Sequence, residues 1–318
     1  MGFKGLKVAT VSGDDVLDKL PDLEAKGVPF VNMDTGEEGL DRIRDNIVAA
    51  NAYIGAEGIL EALQAGAEYI IAGRISDGAP FVAALMHEFG WSFEDGNWDK
   101  IGAGITIGHL LECACFCTGG GSNQWREAVD AWKIGFPIAE VNEIPEAIIT
   151  KAPDTGGIVN QWTVKEQLLY EVLDPHNYYM PDGIADLGEV TVKEVGENRV
   201  EVKGFRGKPR PDTLKLCIGY QDGWIAEGLL LFSWPDALAK AQRAEEIVRK
   251  RLKHRVQVEP EEIRFDSVGV NALHQHTAPM PDCELNEVGL RIAAKLRTRE
   301  EADLVRREAT HLWTLGGI

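Results

Sequence analysis

"EYIIAGRISDGAP", Glu68 to Pro80, decides how the first half of the chain is read. The apolar run Tyr69 to Ala72 has the composition of a buried strand, Gly73 ends it, and Arg74 and Asp77 stand where the strand leaves the core. Two earlier segments read the same way. "LKVATV" (Leu6 to Val11) runs into the turn "SGDD", and "VPFVNM" (Val28 to Met33) runs into "DTGEEG". Between the second and third lies "DRIRDNIVAANAYIGAEGILEALQAGA", residues 41–67, with helical apolar spacing interrupted by Gly55 and Gly58. Strand, helix and strand in alternation predict an α/β fold: a parallel sheet with right-handed crossover helices in the N-terminal half. Ligands bind such sheets outside the carboxyl ends of the strands. "SGDD", "DTGEEG" and "GRISDGAP" are therefore expected to face one crevice.

The whole chain bounds the classes of function. With 318 residues, 44% of them hydrophobic, it can fill one large core or two medium ones. No run of about 18 apolar residues suggests a membrane span, and no signal-peptide pattern opens the chain, so a soluble cytoplasmic protein is expected. Five cysteines, an odd number, argue for reduced thiols rather than a disulfide framework. The balance of 33 Lys and Arg against 51 Asp and Glu gives a formal charge of −18, whose field repels nucleic acid and anionic membranes. Neither is an expected partner.

After about residue 185 the pattern changes, and the expected domains are 1–185 and 186–318. "GEVTVKEVGENRVEVKG" alternates apolar and polar residues around "GEN", and "TLKLCIGYQDGWIAEGLLLFS" does so around "DG"; both read as hairpins. A helix in "PDALAKAQRAEEIVRKRLK", strands in "IRFDSVGVNAL" and "EVGLRIAAKL", and a last helix with Thr298 as N-cap complete a two-layer α+β domain.

Several residue groups carry chemistry, each beside a plainer alternative. Gly13, Asp14 and Asp15 place two carboxylates at a strand end, suited to a divalent cation or a ligand hydroxyl, or to capping the next helix. Arg74 can grip a carboxylate or phosphate with its planar fork while Asp77 acts as a base, or the two close their loop as an ion pair. In "GAGITIGHLLECACFCTGGG", His109, Glu112 and Cys113 fall at i, i+3 and i+4, one face of a helix. That suits an acid/base pair or a metal, against small-residue packing and a hydrogen-bonded core histidine. Cys113, Cys115 and Cys117 alternate too closely to converge on one zinc without a turn. Thr155, Gly156 and Gly157 in "KAPDTGGIVNQWT" form an anion-binding nest or a simple turn. Lys203, Arg206, Lys208 and Arg210 suit the phosphates of a carrier such as coenzyme A, or a solvated hairpin edge. His274 and His276, at i, i+2, would share one face of a strand as metal ligands or as a polar strand end. Common nucleotide and serine-hydrolase signatures are absent.

"VATVSGDD", "ANAYIGAEGILEALQAGAEYIIAGRISD", "LMHEFGW", "GHLLECACFCTGG", "GFPIAEV", "DTGGIVNQWTVKEQLLYEVLDPHNYYMPD" and "TLKLCIGYQDGW" resemble, in this order and over nearly the whole chain, the acyclic terpene utilization AtuA family. The resemblance implies a ferredoxin-like C-terminal module and a place in the breakdown of acyclic terpenoids or branched acids, whose intermediates are acyl-CoA thioesters. It also implies a segment upstream of "LKVATVSGDD", supplied by a second polypeptide where this chain lacks it. The reading that follows is a lyase or hydratase acting on an acyl-CoA or carboxylate. Arg74, Asp77, His109 and Glu112 are its catalytic candidates; Gly13, Asp14, Asp15, Gly73, Thr155, Gly156 and Gly157 are its substrate-binding candidates. No cofactor is required by the sequence, although a divalent metal fits a hydrolase built on Asp14, Asp15, His109 and Glu112. A non-catalytic subunit of a larger complex is the other alternative. The expected partners are a small-molecule substrate, acyl-CoA among the candidates, and further copies of the chain.

Overall fold

The computed structural model describes residues 4–94, 96–260 and 262–315. The chain divides into two compact units, Met1–Gly219 and Tyr220–Ile318, each with its own apolar core.

In the first unit β1 (Val8–Val11), α1 (Leu20–Ala25), β2 (Ile47–Ala52), α2 (Glu57–Gln64) and β3 (Tyr69–Ala72) follow one another. β1 and β3 pair in parallel, Val8 facing Tyr69 and Val11 facing Ala72, with α2 as the crossover. A parallel bridge from Ile54 to Ile75 joins the chain just past β2 to the chain just past β3. The segment 41–67 is not one interrupted helix. The β-branched Ile47 and Val48 begin a strand, and only Glu57–Gln64 is α-helical, closed by Gly66 at φ 78°. "VPFVNM" forms no strand; Val31 alone makes a bridge, to Glu38.

α3 (Ala79–Phe89) carries Pro80 in its first turn, and Gly90 at φ 62° ends it. α4 (Trp98–Glu112) is buried from Ile101 to Leu110. A helix covered on all sides must let neighbouring backbones come close, which its glycines allow. A Cβ at Gly102 would overlap the Arg206 carbonyl, and one at Gly108 would lie 2.8 Å from the Gly78 Cα.

Around α4 stand β4 (Pro137–Val141), β5 (Ala147–Lys151), α5 (Gln161–Leu169), β6 (Tyr178–Met180), β7 (Gly183–Asp186), β8 (Thr191–Gly196), β9 (Arg199–Lys203) and β10 (Arg206–Lys208). One antiparallel sheet has the order β4-β5-β9-β8, another β10-β7-β6. The expected "GEN" hairpin is β8–β9, with Asn198 at φ 52° in its turn. The second expected hairpin does not form. β11 (Leu216–Tyr220) pairs with β2 instead, and β12 (Trp224–Ser233) joins the other unit's sheet.

In that second unit β12, α6 (Ala237–Arg251), β13 (Glu262–Val268), β14 (Glu287–Leu296) and α7 (Arg299–Thr310) form one antiparallel sheet, order β12-β14-β13, with two helices. Thr298 caps α7: its hydroxyl accepts from the Glu301 N–H at 3.2 Å, and the Glu301 carboxylate accepts from the Thr298 N–H at 3.3 Å. α7 crosses so near β12 that a Cβ at Gly228 would lie 2.8 Å from that of Ala309. His274 and His276 lie in a short helical turn, not on a strand, so they share no strand face. Among the described residues no helix is long and apolar enough to cross a membrane.

Candidate functional site

The ends of β1, β2 and β3 are tied together by one carboxylate. Gly13 adopts φ 118°, and the buried Asp14 that follows accepts from the Arg74 N–H at 2.7 Å and from Asn51 Nδ2 at 3.0 Å. The Arg74 N–H foremost holds the Asp14 carboxyl below its ordinary range. Gly73 is bare because a side chain there would overlap that carboxylate. Asp15 accepts from the Leu17 N–H at 3.1 Å and shapes a local turn. Among the described residues no three His, Cys, Asp or Glu side chains converge to hold a metal ion.

Fixed by this latch, Arg74 leaves β3 half-exposed. Its Nε donates to the Ile75 carbonyl at 3.1 Å, its Nη2 donates to Asp77 at 3.2 Å, and its guanidinium stands 4.8 Å from the centre of the Tyr53 ring. The loop-closing ion pair, the plainer alternative for these two residues, is present. Both side chains stay open, at 41% and 49% of full exposure, so the pair also faces solvent.

Asp77 meets α4 through two glycines. Gly78 and Gly108 touch backbone to backbone, which brings Asp77, one residue before Gly78, toward His109, one residue after Gly108. The Asp77 charge acts on both His109 and Glu112. His109 is only 2% exposed; its Nδ1 lies 3.3 Å from the Tyr178 hydroxyl and 4.0 Å from Glu112, and its Nε2 is buried without a hydrogen-bond partner. Gln167 holds this end of α4, donating from Nε2 to the His109 carbonyl at 2.7 Å and to Glu112 Oε1 at 3.3 Å.

Burial pushes His109, Glu112 and Tyr178 toward their neutral forms. It lowers the His109 pKa, against a smaller opposing pull from the Gln167 and Leu168 carbonyls, and raises those of Glu112 and Tyr178. It also pushes the Cys113 thiol up to about 11. Cys113 stands just past the helical residues, so it leaves the face shared by His109 and Glu112. A neutral histidine and a carboxyl that releases its proton late are the materials of proton transfer near neutrality.

The remaining candidates lie apart from this cluster. The N–H groups of Gly156 and Gly157 donate to the Lys133 and Val129 carbonyls at 3.0 and 2.7 Å, and Thr155 Oγ1 donates to the Ala152 carbonyl at 2.7 Å. This loop packs on the chain just after α4, where the Ile158 N–H donates to the Thr118 carbonyl. The cations of "KGFRGKPRP" are tied to carboxylates: Lys203 to Glu146 and Glu201, Arg206 to Asp99 and Glu189, Lys208 to Asp186, and Arg210 to Glu57 and Asp182.

Tyr53, Gln167, Tyr178 and Lys215 join the site without a sequence signal of their own. A tyrosine or glutamine in an apolar run reads as packing, and only the fold shows what its polar end meets. The ammonium of Lys215 lies 5.0 Å from the centre of the Tyr53 ring.

The model of one protein family, described as acyclic terpene utilisation family protein AtuA, matches residues 1–317. No curated protein and no solved structure gives a significant match.

Proposed function

Because the chain belongs to the acyclic terpene utilisation family AtuA, we propose that it is a lyase or hydratase acting on a branched acyl-CoA or carboxylate in that utilisation. The observation that carries this reading is the approach of Asp77 to His109 and Glu112 across the Gly78–Gly108 contact, with the Arg74 guanidinium beside it.

In the hydration direction, Asp77 takes a proton from water as the water oxygen bonds to the β-carbon of an unsaturated substrate. Glu112, whose proton burial holds more tightly than that of an ordinary carboxyl, gives it to the α-carbon, and the C=C bond becomes single. Negative charge gathered on the substrate's carbonyl oxygen between these steps is met by Arg74. His109, buried behind them, positions Glu112 and Tyr178. The strand order of the second unit, with β14 between β12 and β13, supports the reading of a ferredoxin-like module.

The test is hydration of a branched 3-methyl-2-enoyl-CoA and of its free acid, followed by loss of the conjugated absorbance. Asp77→Asn and Glu112→Gln should each lower turnover by about a hundredfold or more while leaving the melting temperature unchanged. Wild-type rates in both variants, or no hydration by the unaltered protein, overturn the proposal.

A further inference from the structure

Two cations share the ring of Tyr53. The Arg74 guanidinium stands 4.8 Å from its centre and the Lys215 ammonium 5.0 Å. The Tyr53 N–H donates to the Lys215 carbonyl at 2.9 Å, so the chain entering β11 is held alongside the tyrosine and presents Lys215 there.

Like charges gathered on one ring repel, and an exposed ring face returns only about 0.5–1 kcal/mol per cation. In the run from Lys203 to Arg210 of this unit, each cation is answered by a carboxylate. Lys215 has no carboxylate partner among the described residues. Arg74 has Asp77 alone, through Nη2. In a chain carrying 51 acidic residues, two cations left this open at the end of a parallel strand pair are a place for an anion from outside.

We propose that Arg74 and Lys215 together bind an oxyanion of the substrate, a carboxylate or a phosphate, beside the Tyr53 ring and next to Asp77. The inference rests on the reading of this region as the substrate pocket and deepens it: the substrate is an anion, gripped at two points. Arg74 supplies a planar fork and Lys215 a mobile point charge. With Nη2 engaged by Asp77 and Nε by the Ile75 carbonyl, Nη1 is the part of the fork left for the oxyanion.

Calorimetric titration of the full chain, using 3-methylbut-2-enoate, inorganic phosphate and coenzyme A as separate probes, tests this without turnover. At least one probe should bind the unaltered protein. Lys215→Gln should weaken that binding about tenfold, as loss of a charged hydrogen bond does, whereas Lys215→Arg should keep most of it. Melting temperatures should be unchanged, because Lys215 is exposed. The probe that binds distinguishes a carboxylate source from a phosphate source. Equal affinity in Lys215→Gln, or no binding of any probe, overturns the inference. Its failure is separate from that of the hydration reading: absent turnover with Lys215-dependent binding sinks only the reaction, and intact turnover with Lys215-independent binding sinks only the anion site.

Discussion

Asp182 shows what burial does to a single carboxylate in this chain. It is 1% exposed, its Oδ1 accepts from the Ala56 N–H at 2.8 Å, its Oδ2 has no hydrogen-bond partner, and the Arg210 guanidinium stays 3.8 Å away. Burial pushes its pKa from the ordinary 3.8 to about 6. The native state therefore holds this proton more tightly than the unfolded state does. The stability it lends at low pH declines as pH rises from about 4 to about 6, by at most about 3 kcal/mol, and stays lost above that. Urea denaturation across this range should show the decline in the unaltered protein and a flatter profile in Asp182→Asn. An unchanged slope in the variant would assign the decline to other groups. Nothing in "YMPDG" announces this carboxylate, because its burial depends on Gly55 leaving room more than a hundred residues earlier in the chain.

At the scale of elements, α4 makes a sharper demand. Gly108→Ala would set a methyl 2.8 Å from the Gly78 Cα and 2.9 Å from its carbonyl oxygen, with backbone rather than a flexible side chain in the way. It should cost about 1–3 kcal/mol and, by parting Asp77 from α4, most of the hydration activity. Gly104→Ala is the control. Its methyl would meet Val82 at 3.4 Å, an ordinary contact, so stability should hold or rise by up to about 1 kcal/mol. Thermal melting and turnover of the two variants check this, and equal behaviour would contradict it. The sequence made much of this scale legible: β1 and β3 with their polar ends, the β8–β9 hairpin, and His109 and Glu112 on one helix face. It hid the pairing of β11 with β2, since alternation around "DG" describes two adjacent strands equally well whether they pair with each other or with distant partners. It also hid the split of residues 41–67, where apolar spacing fits a helix over a stretch that β-branched residues turn into β2.

For the whole molecule, the charge of −18 acts at distances where individual residues do not. An anionic substrate approaching from solvent meets net repulsion before it meets Arg74 and Lys215, and salt screens that far field over a Debye length of about 10 Å at 0.1 M. Stopped-flow association of 3-methylbut-2-enoate should quicken as salt rises from low to physiological strength, while its uncharged amide should show no such trend. A carboxylate rate that falls with salt would mean that the local cations dominate the approach. The net charge was legible in composition, but the small positive place within it was not, because Tyr53, Arg74 and Lys215 meet only when β2, β3 and the entry to β11 are brought together. The Gly78–Gly108 contact has one more consequence. Main chain resting on main chain works as a jig: it sets the spacing between positions 77 and 109 whatever side chains those positions carry. Exchanging the acid at one and the imidazole at the other would keep the spacing and change the reagents, so this scaffold can be refitted for different chemistry without being rebuilt.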